Sequence, residues 1–308
     1  MLVSELIFGI FLTSEIVLGF GGNTLLFMLC VYTILFQRHL KKPIDVIFTH
    51  LSLVNVLTIM FRLIPDTMSS FGGGHLFDDV GCKAVLYSYR VTRGLSICTT
   101  SLLTAFQAIT ISPRNSKWVW LKSKLSSCVF PSFLFFWIIN MLIYIHIIET
   151  LTSSSNSTMV GSGYSHTYCT KSGHNQLSYV FLSVMVMHDV LFVTLMIWSS
   201  LYMVHLLHRH HRRAQHVHST RLSSQPSPEN KATHSILLLV SCFLFFYCSN
   251  NFITFYLFFR PGKTPTFERI TGIVASYYPT ICPFVLIKNM KIISGCNSPI
   301  SEIKCIFC

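Results

Sequence analysis

The sequence predicts an all-α membrane protein, a seven-transmembrane-helix bundle with its N-terminus outside and its C-terminus inside. Seven long apolar segments alternate with short polar loops. Each segment can supply the roughly 20 residues with which a helix crosses about 30 Å of hydrocarbon. Only 11% of the residues are charged, whereas a soluble domain carries roughly 25%. Helices are expected because all their backbone hydrogen bonds close within one segment.

The chain of 308 residues is expected to form a single domain, 1–308, because no loop is long enough to hold a second one. No basic residue precedes the first apolar segment, which is therefore predicted to serve as an uncleaved insertion signal. Pro279 and Pro283 each remove a donor from the last helix and are expected to kink it. The helices are predicted at about 6–36, 44–65, 82–111, 125–148, 177–207, 232–259 and 270–287, followed by a tail at 288–308.

The basic residues predict the orientation. Most of the 23 Lys and Arg residues lie in the loops after helices one, three and five and in the tail. The positive-inside rule assigns these segments to the cytoplasm. The formal net charge of +12 then follows mainly from orientation, and no nucleic-acid partner is expected.

Two features of the predicted outer face agree with this topology. The sequon at Asn156 lies in the long loop after helix four, where N-glycosylation is expected. Of 11 Cys residues, only Cys82 and Cys169 fall on the outer side. That side is oxidising, so we expect a disulfide between them, with two free thiols as the alternative.

The sequence lacks the motifs of several common enzyme classes. The sequence has no P-loop, no His-Glu-x-x-His zinc motif and no Gly-x-Ser-x-Gly motif. His188 and Asp189 are adjacent, but neighbouring helical side chains point about 100° apart and cannot easily share one substrate atom. We therefore expect no enzyme, cofactor or metal. No internal repeat of the kind found in transporters is visible, so a receptor is favoured.

Five segments carry a resemblance to a known family. They are GN at 22–23, THLSLVN at 49–55, FQAITISPR at 106–114 (leading to Trp118), HRHHRRAQHVHST at 208–220 and PTICPFVLI at 279–287. In these segments the chain resembles the type-1 vomeronasal receptors, a group of G-protein-coupled pheromone receptors. The likeness extends from helix one to the end of helix seven. Cys282 replaces the Ser that this family usually has.

The resemblance implies a function. A small pheromone-like molecule is expected to bind from outside and to activate a heterotrimeric G protein inside, of the inhibitory type. The expected location is the plasma membrane of vomeronasal sensory neurons. Two alternatives remain: a bitter-taste-like receptor, and a transporter or channel that would move substrate without a G protein.

Charged and aromatic residues define a candidate ligand site. Charged side chains inside a membrane bundle are costly and are functional candidates by default. Arg90 or Arg93 is expected to pair with Asp189 or to receive an anionic ligand group. A purely structural ion pair and an Arg that snorkels to the interface are the alternatives. The candidate ligand-binding residues are Tyr89, Arg90, Arg93, His188, Asp189, Asn250, Asn251, Tyr256 and Tyr277.

A second set is assigned to activation and G-protein coupling: Asn23, Asn55, Gln107, Arg114, Arg209 and Pro283. The amides of Asn23 and Asn55 are expected to hydrogen-bond between helices one, two and seven. Asn55 replaces the Asp that helps to bind sodium in rhodopsin-like receptors, so sodium regulation of that kind is not expected. Gln107 occupies the position of the G-protein-facing Arg, and it cannot form the usual acidic-Arg ion pair.

The inner surface is basic. Six His and three Arg lie between His205 and His218, and they are predicted to meet anionic membrane lipid and the G protein. Metal binding is the alternative for this His-rich segment. In the tail, prenylation at the C-terminus and palmitoylation of Cys296, Cys305 or Cys308 stay open.

Overall fold

The computed structural model of the protein describes residues 3–36, 42–71, 78–113, 119–146, 148, 151–153, 169–171, 176–217, 228–259 and 265–293. Within these residues seven α-helices form one bundle. They are α1 (Val3–Phe36), α2 (Pro43–Ser70), α3 (Asp79–Thr110), α4 (Val119–Tyr144), α5 (Gln176–Val217), α6 (Pro228–Phe259) and α7 (Pro265–Ile293). Consecutive helices up to α4 pack side by side, and α7 closes the bundle against α1, α2 and α6.

Helix α3 runs through the centre of the bundle. It contacts α2, α4, α5 and α6, and almost every side chain from Val91 to Ala108 is buried. Its hydroxyl groups are satisfied within the helix; for example, Thr92, Thr99 and Thr100 donate to the carbonyl four residues back. Neighbouring helices therefore shield the polar groups of α3 from lipid.

Six of the described helices are long and apolar enough to cross a membrane, and α3 is the exception. The expectation that all seven segments have this character was wrong for 82–111. Helix α3 is long enough, but Arg90, Arg93 and its hydroxyl-rich surface lower its hydropathy. A helix enclosed by other helices does not need an apolar surface, because it meets little lipid.

Several predicted helix ends also need correction. Helix α2 was predicted to end at residue 65, but it continues past the buried Pro65 to Ser70, since a proline removes only its own donor. Helix α5 extends to Val217 instead of 207, because helical hydrogen bonds need no apolar side chains beyond the hydrocarbon. Helix α4 ends at Tyr144 instead of 148.

Two short strands, which the sequence did not predict, follow α4. Strands β1 (Leu151–Ser153) and β2 (Cys169–Lys171) pair antiparallel, with Thr152 opposite Thr170. Strand β1 contacts α3. The ladder therefore places part of the segment between α4 and α5 against the central helix.

The packing separates an interior from a lipid-facing surface. Leu51, Leu95 and Met196 are fully buried in the main apolar cluster. Large apolar side chains elsewhere are exposed, among them Phe130 and Trp198. In a soluble protein such an apolar surface would mark an interaction site; on this bundle it is the surface that lipid covers.

Candidate functional site

A polar cluster around Arg93 joins α3, α5 and α6. The guanidinium Nη2 of Arg93 donates to Oδ1 of Asn251 at 3.1 Å, and its Cζ lies 5.3 Å from the ring centroid of Tyr247. The hydroxyl of Tyr247 donates to Oδ2 of Asp189 at 2.7 Å. Tyr247 therefore links the cation on α3 to the carboxylate on α5.

Asp189 and its neighbour His188 extend this cluster toward α4. Nδ1 of His188 lies 3.2 Å from Oδ1 of Asp189, and its Nε2 lies 3.5 Å from Sγ of Cys98. Nδ2 of Asn140 lies 3.6 Å from the same sulfur. Four helices thus share one chain of polar contacts, which was not predictable from any single segment.

The expected direct ion pair is replaced by an indirect one. Among the described residues, the ion pairs within 4.0 Å do not include one between Arg93 and Asp189. Arg90 is half-buried, as Arg93 is, but it makes no hydrogen bond among the described residues. Arg93 is therefore the arginine that joins the cluster, and its guanidinium faces the ring of Tyr247 instead of the carboxylate.

A small cavity lies beside Arg93, between α2, α3, α6 and α7. Its volume is about 40 Å³, which is room for a few water molecules at roughly 10–15 Å³ each. Small-molecule sites usually measure roughly 300–1,000 Å³, so this cavity is too small for such a ligand unless its walls move. Its walls are Thr58, Tyr89, Arg93, Ser96, Ile97, Phe243, Phe246, Tyr247, Asn250, Val274, Ala275, Tyr278 and Pro279.

Of the other candidate ligand residues, some line the cavity and others do not. Tyr89 and Asn250 are buried and line it. Tyr277 stacks on Phe246, with ring centroids 5.2 Å apart, but it is not part of the wall. The side chain of Tyr256 lies outside the described residues.

Three charged residues inside the spans were missed. Arg62 and Asp66 form an ion pair at 3.4 Å, and the guanidinium of Arg62 lies 5.4 Å from the ring centroid of Tyr89. Glu15 on α1 is 4% exposed and accepts a hydrogen bond from Ser276. The signal that could have found them is their charge within an apolar segment.

The predicted amide network between helices one, two and seven is present. Nδ2 of Asn23 donates to the carbonyl of Pro279 on α7 at 2.8 Å. Nδ2 of Asn55 donates to Oδ1 of Asn23 at 3.3 Å, and Ser96 on α3 donates to Oδ1 of Asn55 at 3.2 Å. The carbonyl of Pro279 is therefore paired across the bundle, at the point where two prolines interrupt the donors of α7.

Close packing fixes α7 beside α1. A side chain at Gly22 would approach Pro283 to 2.9 Å, so the glycine allows the proline ring to lie against α1. The hydroxyls of Thr100 and Tyr278 are 2.8 Å apart and tie α7 to α3. Between these two attachments α7 lacks the donors that its prolines remove, which leaves it able to bend there.

At the other end of α3, Gln107 hydrogen-bonds to α6. Its Nε2 donates to Oγ1 of Thr233 at 3.3 Å, and both residues are buried. Just beyond the end of α3, the hydroxyls of Ser112 and Tyr202 are 3.0 Å apart and connect this segment to α5. These helix ends are joined by neutral hydrogen bonds. This agrees with the sequence, because Gln107 cannot form the usual acidic-Arg ion pair. Arg209 is exposed nearby.

His50 joins α2, α3 and α4 by both of its ring nitrogens. Nε1 of Trp137 donates to Nε2 of His50 at 3.1 Å, so Nε2 carries no proton. Nδ1 lies 3.0 Å from Oγ1 of Thr99, which itself donates to the carbonyl of Leu95. Nδ1 therefore holds the proton, and the ring is fixed as one neutral tautomer.

The remaining predicted residues lie mostly outside the described residues. Cys82 is buried and disulfide-bonded. The side chain of Cys169 is not among those described, so the pairing of the two stays a prediction. Arg114, Asn156, Cys296, Cys305 and Cys308 also lie outside the described part of the chain, and in the His-rich segment the side chains from His210 onward are not described.

The comparisons with known proteins agree with one another. The sequence model of the vomeronasal organ pheromone receptor family matches residues 6–298. Vomeronasal type-1 receptor 1 of gorilla is 35% identical over 88% of this chain and 76% of its own length. Human vomeronasal type-1 receptor 3 is 34% identical, over 91% of this chain and 90% of that receptor.

A more distant relative and a solved structure extend the comparison. Olfactory receptor class A-like protein 1 of zebrafish (Danio rerio) is 33% identical over 89% of this chain and 86% of its own length. The crystal structure of squid rhodopsin matches with a TM-score of 0.71 and 16% identity, over 94% of this chain and 84% of that chain. The latter likeness concerns the fold alone.

Proposed function

Since the chain belongs to the vomeronasal organ pheromone receptor family, a group of multi-pass membrane receptors with the rhodopsin-like fold, we propose that it binds a small pheromone-like molecule from outside and activates a heterotrimeric G protein inside. The G protein is of the inhibitory type. The receptor acts in the plasma membrane of vomeronasal sensory neurons, where anionic lipid meets its basic inner loops.

One observation carries this proposal: the half-buried Arg93 lines a cavity and, among the described residues, has no carboxylate within ion-pair distance. A guanidinium presents five donors in a plane, and Arg93 uses Nη2 for Asn251. An anionic or carbonyl-bearing ligand group would accept from the remaining donors. The aromatic walls formed by Tyr89, Phe246 and Tyr278 suit an apolar ligand body.

Helix α6 takes part both in the polar cluster around Arg93 and in the hydrogen bond between Gln107 and Thr233. Tyr247 and Asn251 contact Arg93 at one end of α6, and Thr233 contacts Gln107 at the other. A ligand that displaces Asn251 or Tyr247 would favour a different position of α6. The ligand needs differential affinity for the two positions, or nothing is transmitted.

Breaking the hydrogen bond between Gln107 and Thr233 is expected to raise basal signalling. Thr233→Val keeps the side-chain shape but removes the hydroxyl that accepts from Gln107. A hydrogen bond of this kind contributes roughly 0.5–1.5 kcal/mol, so basal G-protein activity should rise roughly two- to tenfold. Nucleotide exchange in membranes of transfected cells measures it. Ser241→Ala is the control, because that exposed hydroxyl on α6 donates only to Leu237. Equal basal activity in both variants would refute the role of this bond.

The orientation has its own test. Asn156 is expected to carry a glycan if the loop between α4 and α5 is outside. Asn156→Gln should then lower the apparent mass by one glycan, and Thr158→Val should give the same shift because it destroys the same sequon. Digestion with a glycosidase before electrophoresis checks this. A receptor that reaches the cell surface with a mass unchanged by the glycosidase would contradict this use of Asn156.

Ligand-evoked signalling tests the function itself. Cells that express the receptor with an extracellular tag are exposed to a panel of urinary and steroid-like small molecules, and G-protein activation is recorded with uptake and membrane current. Activation that depends on the receptor supports the proposal. Uptake or current without G-protein activation would instead support a transporter or channel.

A further inference from the structure

We propose that Glu15, Ser276 and Thr280 form a binding site for one sodium ion between α1 and α7. The site is separate from the Arg93 cavity, and nothing in the ligand proposal depends on it. It consists of other residues than Asn55, the position at which sodium regulation was not expected. Three observations on these residues carry the inference.

The first observation is a buried carboxyl group without a counter-charge. Glu15 is 4% exposed, near the middle of α1. Among the described residues, its carboxylate takes part in none of the ion pairs. An ionised carboxylate without a partner is expensive inside a membrane bundle, so Glu15 needs one positive charge from outside the protein.

The second observation is that Oε1 of Glu15 and Oγ1 of Thr280 are both buried without a hydrogen-bond partner. Among the described threonines, Thr67 shares this feature with Thr280. The hydroxyls of Thr58, Thr99 and Thr100 all donate to the carbonyl four residues back. Buried polar atoms without partners cost free energy, and a ligand that coordinates both oxygens removes that cost.

The third observation is the register of the two helices. Ser276 donates to Glu15 at 2.8 Å, and a side chain at Gly19 would approach Oγ1 of Thr280 to 2.9 Å. Glu15 and Gly19 are one turn apart on α1, as Ser276 and Thr280 are on α7. The two oxygens without partners therefore lie along the same interface between α1 and α7.

Protonation of Glu15 alone would not give both oxygens a hydrogen-bond partner. The hydroxyl of Ser276 has one hydrogen and lies 2.8 Å from both Oε2 of Glu15 and the carbonyl of Ile273. If Glu15 is protonated on Oε2, it donates to Ser276, and Ser276 donates to Ile273. That chain is complete, yet Oε1 and Thr280 gain nothing from it.

A small hard cation fits the donors better. One carboxylate and two hydroxyls are the oxygen ligands that such cations prefer, with water completing the shell. A single positive charge neutralises the single carboxylate, whereas a divalent ion would leave an uncompensated charge in the span. Bound sodium would brace α7 against α1 beside Pro279 and Pro283, the region where α7 is able to bend.

Thermal unfolding of the purified full-length protein in detergent tests the proposal without any ligand or G protein. Sodium chloride replaces choline chloride stepwise at constant total salt. A ligand that binds only the folded state stabilises it. The melting temperature should rise saturably, on the order of 2–4 °C once sodium exceeds its Kd about tenfold. An equal rise when potassium chloride replaces choline chloride would show that the effect is not specific to sodium and would overturn the proposal.

Substitutions at the proposed sodium site test which residues bind the ion. Glu15→Gln should abolish the sodium response, whereas Asp79→Asn, at a half-exposed acid paired with Lys83, should keep it. If Glu15→Gln gives no cooperative transition, Thr280→Val decides: a severalfold higher half-saturating sodium concentration supports the site, and an unchanged one overturns it. A melting temperature that follows pH but ignores sodium would assign a proton to Glu15 and also overturn the site.

Discussion

Replacing Gly94 with alanine is expected to remove the protein from the cell surface. A methyl group at Gly94 would overlap Oδ1 of Asn140 and approach the Tyr144 ring to 3.2 Å. Gly94 is buried on the central helix, so neither neighbour can move into solvent. Overpacking of this kind typically costs about 1–3 kcal/mol or more. Surface staining of an N-terminal tag, normalised to total protein, measures the loss.

Matched variants separate this clash from a general intolerance of helical glycines. Gly21→Ala on α1 should express normally, because nothing lies within 4 Å of its added methyl group. Asn140→Ala added to Gly94→Ala should restore part of the surface signal, since it removes the overlapping oxygen. If the single Gly94 variant reaches the surface as well as the wild type, the close approach of α3 and α4 is wrong.

Replacing Arg93 with methionine is expected to weaken the response to an activating ligand at least tenfold, which corresponds to about 1.4 kcal/mol. Methionine keeps an unbranched apolar side chain but removes every donor to the ligand and to Asn251. Asp189 keeps its contacts with Tyr247 and His188, so the carboxylate is not left without partners. Concentration–response curves at matched surface expression measure the change.

Arg90→Met is the control for this prediction, because Arg90 is a half-buried cation on the same helix without a hydrogen bond in the described structure. Its response should stay within about threefold of the wild type, an energy difference of roughly 0.6 kcal/mol. Tyr247→Phe adds a second comparison, since it removes only the hydroxyl that donates to Asp189. Equal losses in the Arg90 and Arg93 variants would show that overall charge, and not the cluster, governs the response.

Much of the fold was predictable because a membrane limits the alternatives. Seven apolar segments leave few choices other than helices, and the amides of Asn23 and Asn55 are polar enough in such segments to predict their partners on neighbouring helices. The family likeness was predictable from local segments such as 106–114. The two strands were not, since three-residue pairing depends on where the loop meets α3.

The candidate site was harder to predict because it depends on how each helix is rotated. Arg90 and Arg93 are three residues apart, and only the packing of α3 against α5 and α6 turns Arg93 toward Tyr247. Tyr247 itself was not considered, since its role depends on two residues that are distant in the sequence. Glu15, Arg62 and Asp66 were predictable in principle, and Pro65 misled the prediction of where α2 ends.

Because the cavity beside Arg93 measures only about 40 Å³, the proposed ligand would need a more open state of the receptor. If only a fraction of receptors is open, the apparent Kd of every ligand is the intrinsic Kd divided by that fraction. Substitutions that favour opening, even far from the ligand, would then lower the threshold for all ligands by the same factor. Substitutions in the wall would instead change the order in which ligands are preferred. A receptor of this design can therefore change its detection threshold without changing its ligand preference.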